Sequence, residues 1–325
     1  MKTTHHLTIV FMLSLVVVTN AQNVQSDALA TSGGLNAGTT TSIGGNTFYG
    51  YNSGNNNQVY GNGFNNTFVG HSSTVTTGGH SNTCIGNNTS GLAGNYNIFL
   101  GASSGTQNSG DSNIFIGSSS GGYFEGNENI FIGRNTGFEG SGSKNIYIGN
   151  YLGEESTEQN TLRIDNFNQT TSLIWGDFAE EQLKFNGKVG IGYGFGNYPT
   201  TTGTADVSSY NLFVNGGILT EEVRVTLQST WADYVFKEGY KLPSLEEVEK
   251  HIQEKGHLIN VPSAEEIETN GIELGEMTKI QQEKIEELTL YLIKQKKVNE
   301  EQEKEIKELK NLVQSLLQKV QDSNE

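Results

Sequence analysis

The stretches "NIFIGSSSG" (Asn113–Gly121), "NIFIGRNTG" (Asn129–Gly137) and "NIYIGNYLG" (Asn145–Gly153) repeat nearly the same nine residues at intervals of sixteen. Self-similarity at a fixed short period is typical of structures that stack like units on one another. The aliphatic–aromatic–aliphatic runs suit short strands, and the Gly, Ser and Asn residues around them suit tight turns. The repeat therefore predicts a β-solenoid in which one repeat makes one coil.

The same motif, Asn-x-aromatic-aliphatic-Gly, extends toward the N-terminus, with Cys84 in the aromatic slot of one copy. Its copies begin at Asn46, Asn66, Asn82, Asn97, Asn113, Asn129 and Asn145, and a degraded copy, "NTLRI", begins at Asn160. Strands stack about 4.8 Å apart, so seven coils predict a rod of roughly 34 Å. We expect the stacked Asn side chains to form a hydrogen-bonded ladder along it. The predicted solenoid core comprises Phe99, Phe115, Phe131, Tyr147, Ile116, Ile132 and Ile148.

Both faces of each short strand are apolar. In a strand, Ile114 and Ile116 point to one side and Phe115 to the other, yet all three are hydrophobic. A small coil has one interior, so the second face is expected to meet the same solenoid in a neighbouring chain. The alternative is a thicker monomeric solenoid whose loops cover that face.

The composition separates two different halves. The 325 residues are 34% hydrophobic, and all but four of the 41 glycines precede residue 220, which predicts an elongated chain of two parts. The net charge of −16, without a cluster of Lys or Arg outside a mixed-charge helix, argues against nucleic acid as a partner. Asp111 is the only Asp between residues 46 and 153, which argues against a calcium-loaded roll, and no cofactor is predicted.

The N-terminus has the layout of a secretory signal peptide. Lys2 precedes an apolar run from Leu7 to Val18, and small Ala21 marks the expected cleavage site. A membrane anchor is the alternative, but the run is shorter than the ~20 residues of a spanning helix. We expect a secreted protein of the bacterial outer surface, with no transmembrane segment in the mature chain. A secreted chain whose only cysteine is Cys84 has no internal disulfide, and Cys84 is expected to fill the core rather than react.

The sequence divides into six segments. A small β connector follows the repeats, and "EEVRVTL" from Glu221 alternates as a half-exposed strand does. The predicted segments are the signal peptide 1–21, an N-terminal linker or cap 22–45, the solenoid repeats 46–165, the β connector or end cap 166–230, a short-helix neck 231–273 and a coiled-coil stalk 274–325.

Two short helices in the neck carry matching start and stop signals. Ser244 with Glu247, and Ser263 with Glu266, form the capping-box pattern, and a glycine ends each helix. The nearby aromatic residues are expected to form a local core, an exposed recognition patch being the alternative. These residues are Trp231, Tyr234, Phe236 and Tyr240. Two neck histidines, His251 and His257, are read as surface or packing residues rather than metal ligands.

From about Leu274 the chain is heptadic, which predicts a coiled coil. The predicted oligomerisation positions are Ile285, Leu288, Leu292, Ile306, Leu309, Val313, Leu316 and Val320. β-Branched residues at a with Leu at d favour a dimer, whereas Leu312 at g and Leu317 at e widen the stripe and favour three or more strands. Glu305 at g can pair with Lys310 at e of a parallel partner, and the heptads alone leave the strand number open.

Taken together, the "NIFIG" repeats, "NGKVGIG", "WADYVFKEGYKLPSLEEVEKHIQEKGHL", "VPSAEEIETNGIELGEM" and the terminal coiled coil resemble bacterial secreted tail-fibre-like proteins. The repeats are also similar to the heads of trimeric autotransporter adhesins, whose repeats form trimeric β-rolls. That similarity implies a parallel homotrimer and attachment to surfaces. The chain departs from both families: it carries no motif like the "SDxRLK" of self-cleaving tail-fibre chaperones, and it ends in charged helix, so retention at the surface needs an anchor partner.

These features predict a non-enzymatic adhesin-like or structural fibre, mostly β with a C-terminal α-helical coiled coil. Its expected partners are copies of itself and a surface anchor protein, host receptor or glycan. Candidate ligand contacts are Tyr123, Phe124 and Phe138, whose alternative role is packing between chains. The alternative functions are a glycan-binding protein and a phage-tail-fibre-like receptor-binding protein. A lyase is disfavoured because the carboxylates of the repeats do not recur in stacked pairs.

Overall fold

The computed structural model describes residues 24–26, 30–38, 44–55, 63–75, 78–167, 171–194, 196–226 and 231–322. The predicted signal peptide, 1–21, lies outside the described residues. The chain divides into two compact units, one ending at Val189 and the other beginning at Gly190. Each unit is built from different elements and has its own packing.

The first unit is the predicted β-solenoid, made of very short strands. Its strands are β1 (Val24–Ser26), β2 (Ala30–Gly33), β3 (Asn46–Tyr49), β4 (Thr67–Val69), β5 (Thr74–Val75), β6 (Thr83–Ile85), β7 (Ser90–Ala93), β8 (Ile98–Leu100), β9 (Asn108–Ser109), β10 (Ile114–Ile116), β11 (Ile130–Ile132), β12 (Ile146–Ile148), β13 (Thr161–Ile164), β14 (Ile174–Asp177) and β15 (Gln182–Phe185). The principal sheet runs β1-β2-β3-β4-β6-β8-β10-β11-β12-β13-β14-β15, and β5-β7-β9 form a second wall. Strands β2 to β13 of the principal sheet are parallel, because each coil of the solenoid runs in the same direction as the one before it. Antiparallel strands pair at both ends: β1 with β2, β14 with β13, and β15 with β14.

The register confirms one coil per repeat. Phe115 pairs with Phe99 on one side and with Phe131 on the other, so equivalent residues stack directly. The last copy is shifted by one residue from the sequence prediction: Thr161, rather than Asn160, takes the Asn slot opposite Asn145. The spacing of sixteen is thereby preserved at this coil, and Leu162 and Ile164 stay on the same face as Ile146 and Ile148.

The interior holds one column of aromatic rings, in agreement with the predicted positions of Phe99, Phe115, Phe131 and Tyr147, all of which are buried. Successive ring centroids lie 5.3, 5.0 and 5.0 Å apart with nearly parallel planes. The assignment of Ile116, Ile132 and Ile148 to this core is corrected by the structure. They lie on the outer side of the sheet and are only partly covered, because alternation sends the residues flanking each aromatic away from the interior.

Beside the rings runs the predicted Asn ladder. The Asn129 backbone N–H donates to Asn113 Oδ1 at 3.0 Å, and the Asn145 N–H donates to Asn129 Oδ1 at 3.0 Å. From Asn46 to Asn129 each Asn of the ladder also donates from Nδ2 to a glycine carbonyl, as Asn129 does to Gly142 at 3.1 Å, whereas Asn145 donates to the Glu158 carbonyl at 2.8 Å. The ladder thus satisfies buried backbone groups at the coil corners, which would otherwise cost free energy.

Glycine is required where coils touch. Gly133 has φ +136°, and a Cβ placed there would lie 2.0 Å from the Gly149 carbonyl oxygen. Only glycine permits both this backbone conformation and this approach of successive coils. Glycine therefore recurs every sixteen residues here because successive coils approach closely at this position.

Among the described residues the second unit contains four helical segments and two small sheets, the first of which begins at Val189 on the boundary between the units. Its elements are β16 (Val189–Ile191), which pairs with β19 (Leu212–Val214), β17 (Thr201–Thr202), which pairs with β18 (Ala205–Asp206), a 3-10 helix (Ala232–Phe236), a first neck helix (Leu245–Lys255), a second neck helix (Ala264–Asn270) and the long helix (Leu274–Asp322). Both predicted capping boxes are formed, and the long helix begins at the predicted Leu274. The strand predicted from Glu221 is absent from 221–226, where Val223 and Val225 are exposed without a sheet partner; Leu227 lies outside the described residues.

Candidate self-association surfaces

The outer face of the solenoid sheet is an uncovered aliphatic surface. Each strand places two side chains on this face, one before and one after the buried aromatic slot. The first column comprises Ile98, Ile114, Ile130, Ile146 and Leu162, and the second comprises Leu100, Ile116, Ile132, Ile148 and Ile164. We call these two columns the aliphatic face. In the single chain Ile98 is 43% exposed and Ile132 is 37% exposed.

The aliphatic face is regular and consists only of Ile and Leu side chains. Five strands at about 4.8 Å spacing make it roughly 19 Å long. Fully burying one Ile side chain contributes about 1.5 to 3 kcal/mol, and these side chains are already more than half covered. Contact with a second surface would therefore add roughly 0.5 to 1 kcal/mol for each, which becomes substantial over ten side chains.

The long helix carries the second surface. The predicted oligomerisation residues are 48% to 69% exposed in the single chain. They are Ile285, Leu288, Leu292, Ile306, Leu309, Val313, Leu316 and Val320, and we call them the heptad seam. The structure thus places the seam on an open side of the helix, free of contacts that would bury it.

The opposite side of the same helix is buried and polar. Glu283, Glu286 and Glu287 are 4% to 7% exposed, whereas Ile285 and Leu288, on the intervening positions, are open to solvent. A helix that packs only within its own chain normally buries its apolar stripe and exposes its charges. Here the arrangement is reversed around Glu283 to Leu288 of the long helix, which leaves Ile285 and Leu288 exposed.

A hydrogen-bonded network accounts for two of the three buried carboxylates, Glu283 and Glu287. The Tyr234 hydroxyl donates to Glu283, the Tyr240 hydroxyl donates to Glu287, and Lys284 Nζ lies 2.8 Å from Glu283 Oε1 and 2.9 Å from Glu287 Oε2. Tyr291 donates to the Pro243 carbonyl at 2.6 Å. These contacts hold the 3-10 helix, Tyr240 and Pro243 against the long helix.

The network shifts the acidity of its members. Burial opposes ionisation of Glu283, but hydrogen bonds from Lys284 and Tyr234 outweigh burial, so the pKa of Glu283 lies below its usual value. The hydrogen bond to Glu283, followed by burial, raises the pKa of Tyr234 to about 12. Both shifts favour an ionised carboxylate and a protonated phenol, which is the pairing that the geometry requires.

The aromatic residues of the neck form only part of the predicted local core. Tyr234 and Tyr240 are half-buried with ring centroids 6.0 Å apart, whereas Trp231 and Phe236 are exposed. The buried side chains of this segment are Ala232 and Val235. The 3-10 turn directs these two small residues toward the long helix. The sequence did not predict that Ala232 and Val235 would be buried, because the four nearby aromatic side chains are larger and have more apolar surface to bury.

The candidate ligand contacts separate in the structure. Tyr123 is exposed and meets the half-buried Phe138 edge-on at 5.7 Å. The structure corrects the expectation that Phe124 contacts a ligand. Its side chain is fully buried and packs edge-on against the rings of Phe115 and Phe131. The left-handed backbone at Tyr123, φ 57°, turns the chain so that Phe124 enters the interior.

No residues in the described part of the chain gather three or more His, Cys, Asp or Glu side chains around a common metal position. His251 and His257 stand edge to face with ring centroids 5.3 Å apart. Cys84 is buried in the aromatic slot between Phe68 and Phe99, and burial raises the pKa of its thiol well above the usual range. A thiol in that state is a poor nucleophile.

None of the helices among the described residues has the length and apolar character needed to cross a membrane. Comparison with known proteins found no matching family model, no matching curated protein and no matching solved structure.

Proposed function

We propose that this protein is a non-enzymatic, adhesin-like or structural fibre subunit that works as a parallel homotrimer on the bacterial outer surface. The observation that carries the proposal is the reversed long helix, which buries Glu283, Glu286 and Glu287 and exposes Ile285 and Leu288. A chain acting alone gains nothing from that arrangement, whereas a coiled coil buries the exposed stripe.

The heptad seam fits a three-stranded coiled coil better than a two-stranded one. Leu312 at g and Leu317 at e are each 59% exposed and widen the apolar stripe beyond the a and d positions. A wide stripe favours three or more strands because each helix then faces two neighbours. In a parallel arrangement Glu305 of one chain meets Lys310 of the next. The similarity of the repeats to trimeric autotransporter heads supports the same number.

The aliphatic face of the solenoid gives the trimer a second contact. The aliphatic face is about 19 Å long and apolar in both columns, so it can pack against the same face of a second chain. Secretion by the signal peptide at residues 1–21 would place the assembled fibre outside the cell, where an anchor protein retains it. Function would then reside in a repetitive surface that contacts a host receptor or glycan.

Glycan binding is the second candidate function. It is favoured by the exposed Tyr123 ring, which meets the half-buried Phe138 edge-on, since sugars pack their C–H faces on such rings. A phage-tail-fibre-like receptor-binding role has weaker support, because virion proteins assemble without a signal peptide.

Light scattering coupled to size exclusion tests the proposal. The full chain is expected at three times its mass of 35.3 kDa when it is measured with its N-terminal segment intact. Leu309→Gln on the seam is expected to lower the mass at micromolar concentration, whereas Glu308→Gln beside it changes an exposed polar residue and leaves the trimer intact. A monomeric parent chain would overturn self-association, and a dimer would overturn the trimer.

A further inference from the structure

The aromatic column of the solenoid does not stop at its last parallel coil. In the strand register, Tyr147 pairs with Arg163, Arg163 with Trp175, and Trp175 with Lys184. Paired residues point to the same side of a sheet, so these four side chains extend the inner column across β13, β14 and β15. The column therefore passes from stacked phenyl rings to alternating cations and an aromatic ring.

Arg163 marks the change in chemistry, since it occupies the slot that Phe fills in earlier coils. Its side chain is 14% exposed and forms an ion pair with Glu158, which also accepts a hydrogen bond from the Tyr147 hydroxyl at 3.0 Å. The guanidinium lies 5.8 Å from the centre of the Tyr147 ring. A fixed polar layer thus closes the apolar column.

Beyond this layer the interior opens into a cavity of about 260 Å³. We call it the end cavity; it is lined by Glu158, Arg163, Thr171, Ser172, Trp175, Lys184 and Asn186. Ser172 is 3% exposed, and its hydroxyl has no hydrogen-bond partner among the described residues. A buried hydroxyl without a partner is costly, which points to a ligand or solvent molecule in the cavity.

Lys184 supplies a charge that the protein leaves uncompensated. Its ammonium lies 4.3 Å from the centre of the Trp175 ring, and it forms no ion pair within the described part of the chain. With Glu158 paired to Arg163, the side chains lining the cavity carry one net positive charge. That charge favours a ligand with a single carboxylate, held by a charge-assisted hydrogen bond.

We propose that the end cavity binds one acidic sugar unit, a hexuronic acid. Its carboxylate pairs with Lys184, its hydroxyls bond to Ser172 and the free lone pairs of Glu158, and its C–H groups contact Trp175. The volume is below the roughly 300–1,000 Å³ of sites for drug-sized ligands, which suits a single ring. This inference concerns the end of one solenoid and does not depend on the proposed trimer.

Tryptophan fluorescence tests this site directly. The chain has two tryptophans, so Trp231→Phe makes the emission report on Trp175 alone. Galacturonate is expected to produce a saturable change in emission, whereas galactose, which lacks the carboxylate, and inorganic phosphate, which lacks the ring, are not. Lys184→Gln is expected to weaken binding about tenfold or more, because it removes the charge-assisted contact.

Two further variants test whether binding depends on the end cavity itself. Lys144→Gln removes an equal charge from an exposed turn outside the cavity and is expected to leave binding unchanged. Ser172→Ala removes only the hydroxyl and is expected to weaken binding several-fold with unfolding unaltered. Absence of a saturable change, an equal response to phosphate or to galactose, or full binding by a folded Lys184→Gln variant would each overturn the proposal.

Discussion

Replacing Asn129 by alanine removes one rung of the ladder without altering the shape of the coil. The Asn129 side chain accepts from the Asn145 N–H at 3.0 Å and donates to the Gly142 carbonyl at 3.1 Å and to Asn113 Oδ1 at 3.0 Å. Asn113 Oδ1 retains a second donor, the Asn129 backbone N–H. Two backbone groups, the Asn145 N–H and the Gly142 carbonyl, therefore lose this partner.

The magnitude follows from those two groups. Leaving one buried polar group without its hydrogen bond costs about 1 to 3 kcal/mol, so the loss of two should lower the free energy of unfolding by about 2 to 6 kcal/mol. Asn127→Ala is the matched control. Its side chain lies on the outside of the same repeat and accepts from the Asp111 N–H at 2.8 Å, where water can replace it, so its cost should stay below about 1 kcal/mol.

The measurement is urea unfolding followed by circular dichroism of the β signal, with all proteins at one concentration because the proposed self-association would contribute to stability. The midpoint for Asn129→Ala should lie well below those of the parent and of Asn127→Ala, with similar slopes. If both variants lose the same amount, and that amount is under about 1 kcal/mol, the ladder is not a principal source of solenoid stability and the reasoning fails.

Three other outcomes are expected. Gly133→Ala should prevent folding or lower the thermal midpoint sharply, because its Cβ would meet the Gly149 carbonyl at 2.0 Å; a midpoint equal to that of the parent would contradict the coil packing. Cys84 should react with a thiol reagent far more slowly in the native state than in urea at pH 8, since burial raises its pKa; equal rates would place it at the surface. The neck network should stabilise the second unit between about pH 5 and pH 10. Stability should fall in acid as Glu283, whose folded pKa is lowered, takes up its proton, and in alkali as pH rises from about 10 through about 12, the raised pKa of Tyr234. Burial and the hydrogen bond to Glu287 also raise the pKa of Tyr240, so Tyr234→Phe should reduce rather than abolish the alkaline loss measured by helix circular dichroism; an unchanged loss would contradict the role of Tyr234.

The solenoid could be predicted because its physics is periodic. Sixteen-residue recurrence of Asn, aromatic and Gly at Asn113, Asn129 and Asn145 requires equivalent residues to stack, and the strand register follows from that requirement. The helix ends could also be predicted, because capping by Ser244 and Ser263 depends only on residues three positions away. Local and periodic constraints are visible in a sequence without a structure.

The sequence did not show which face of each solenoid strand points to the interior. The run Ile130–Ile132 is apolar throughout, so the pattern by itself does not say which side is inside; the coil decides, because one aromatic ring fills the space between its walls. Phe124 entered the core through a left-handed turn at Tyr123 that no composition rule indicates. The slot occupied by Arg163 depended on a register shift of one residue.

The sequence by itself determined the repeat, the strand stacking, the helix caps and the positions of the heptad seam, because each arises from neighbours a fixed number of residues apart. Only the tertiary structure decided that the long helix turns Glu283 and Glu287 toward the neck and leaves Ile285 open. It also brought Glu158, Ser172 and Lys184 to one cavity. Those choices depend on contacts between segments that are distant in the chain, and the free energy of such contacts is set by packing rather than by periodicity.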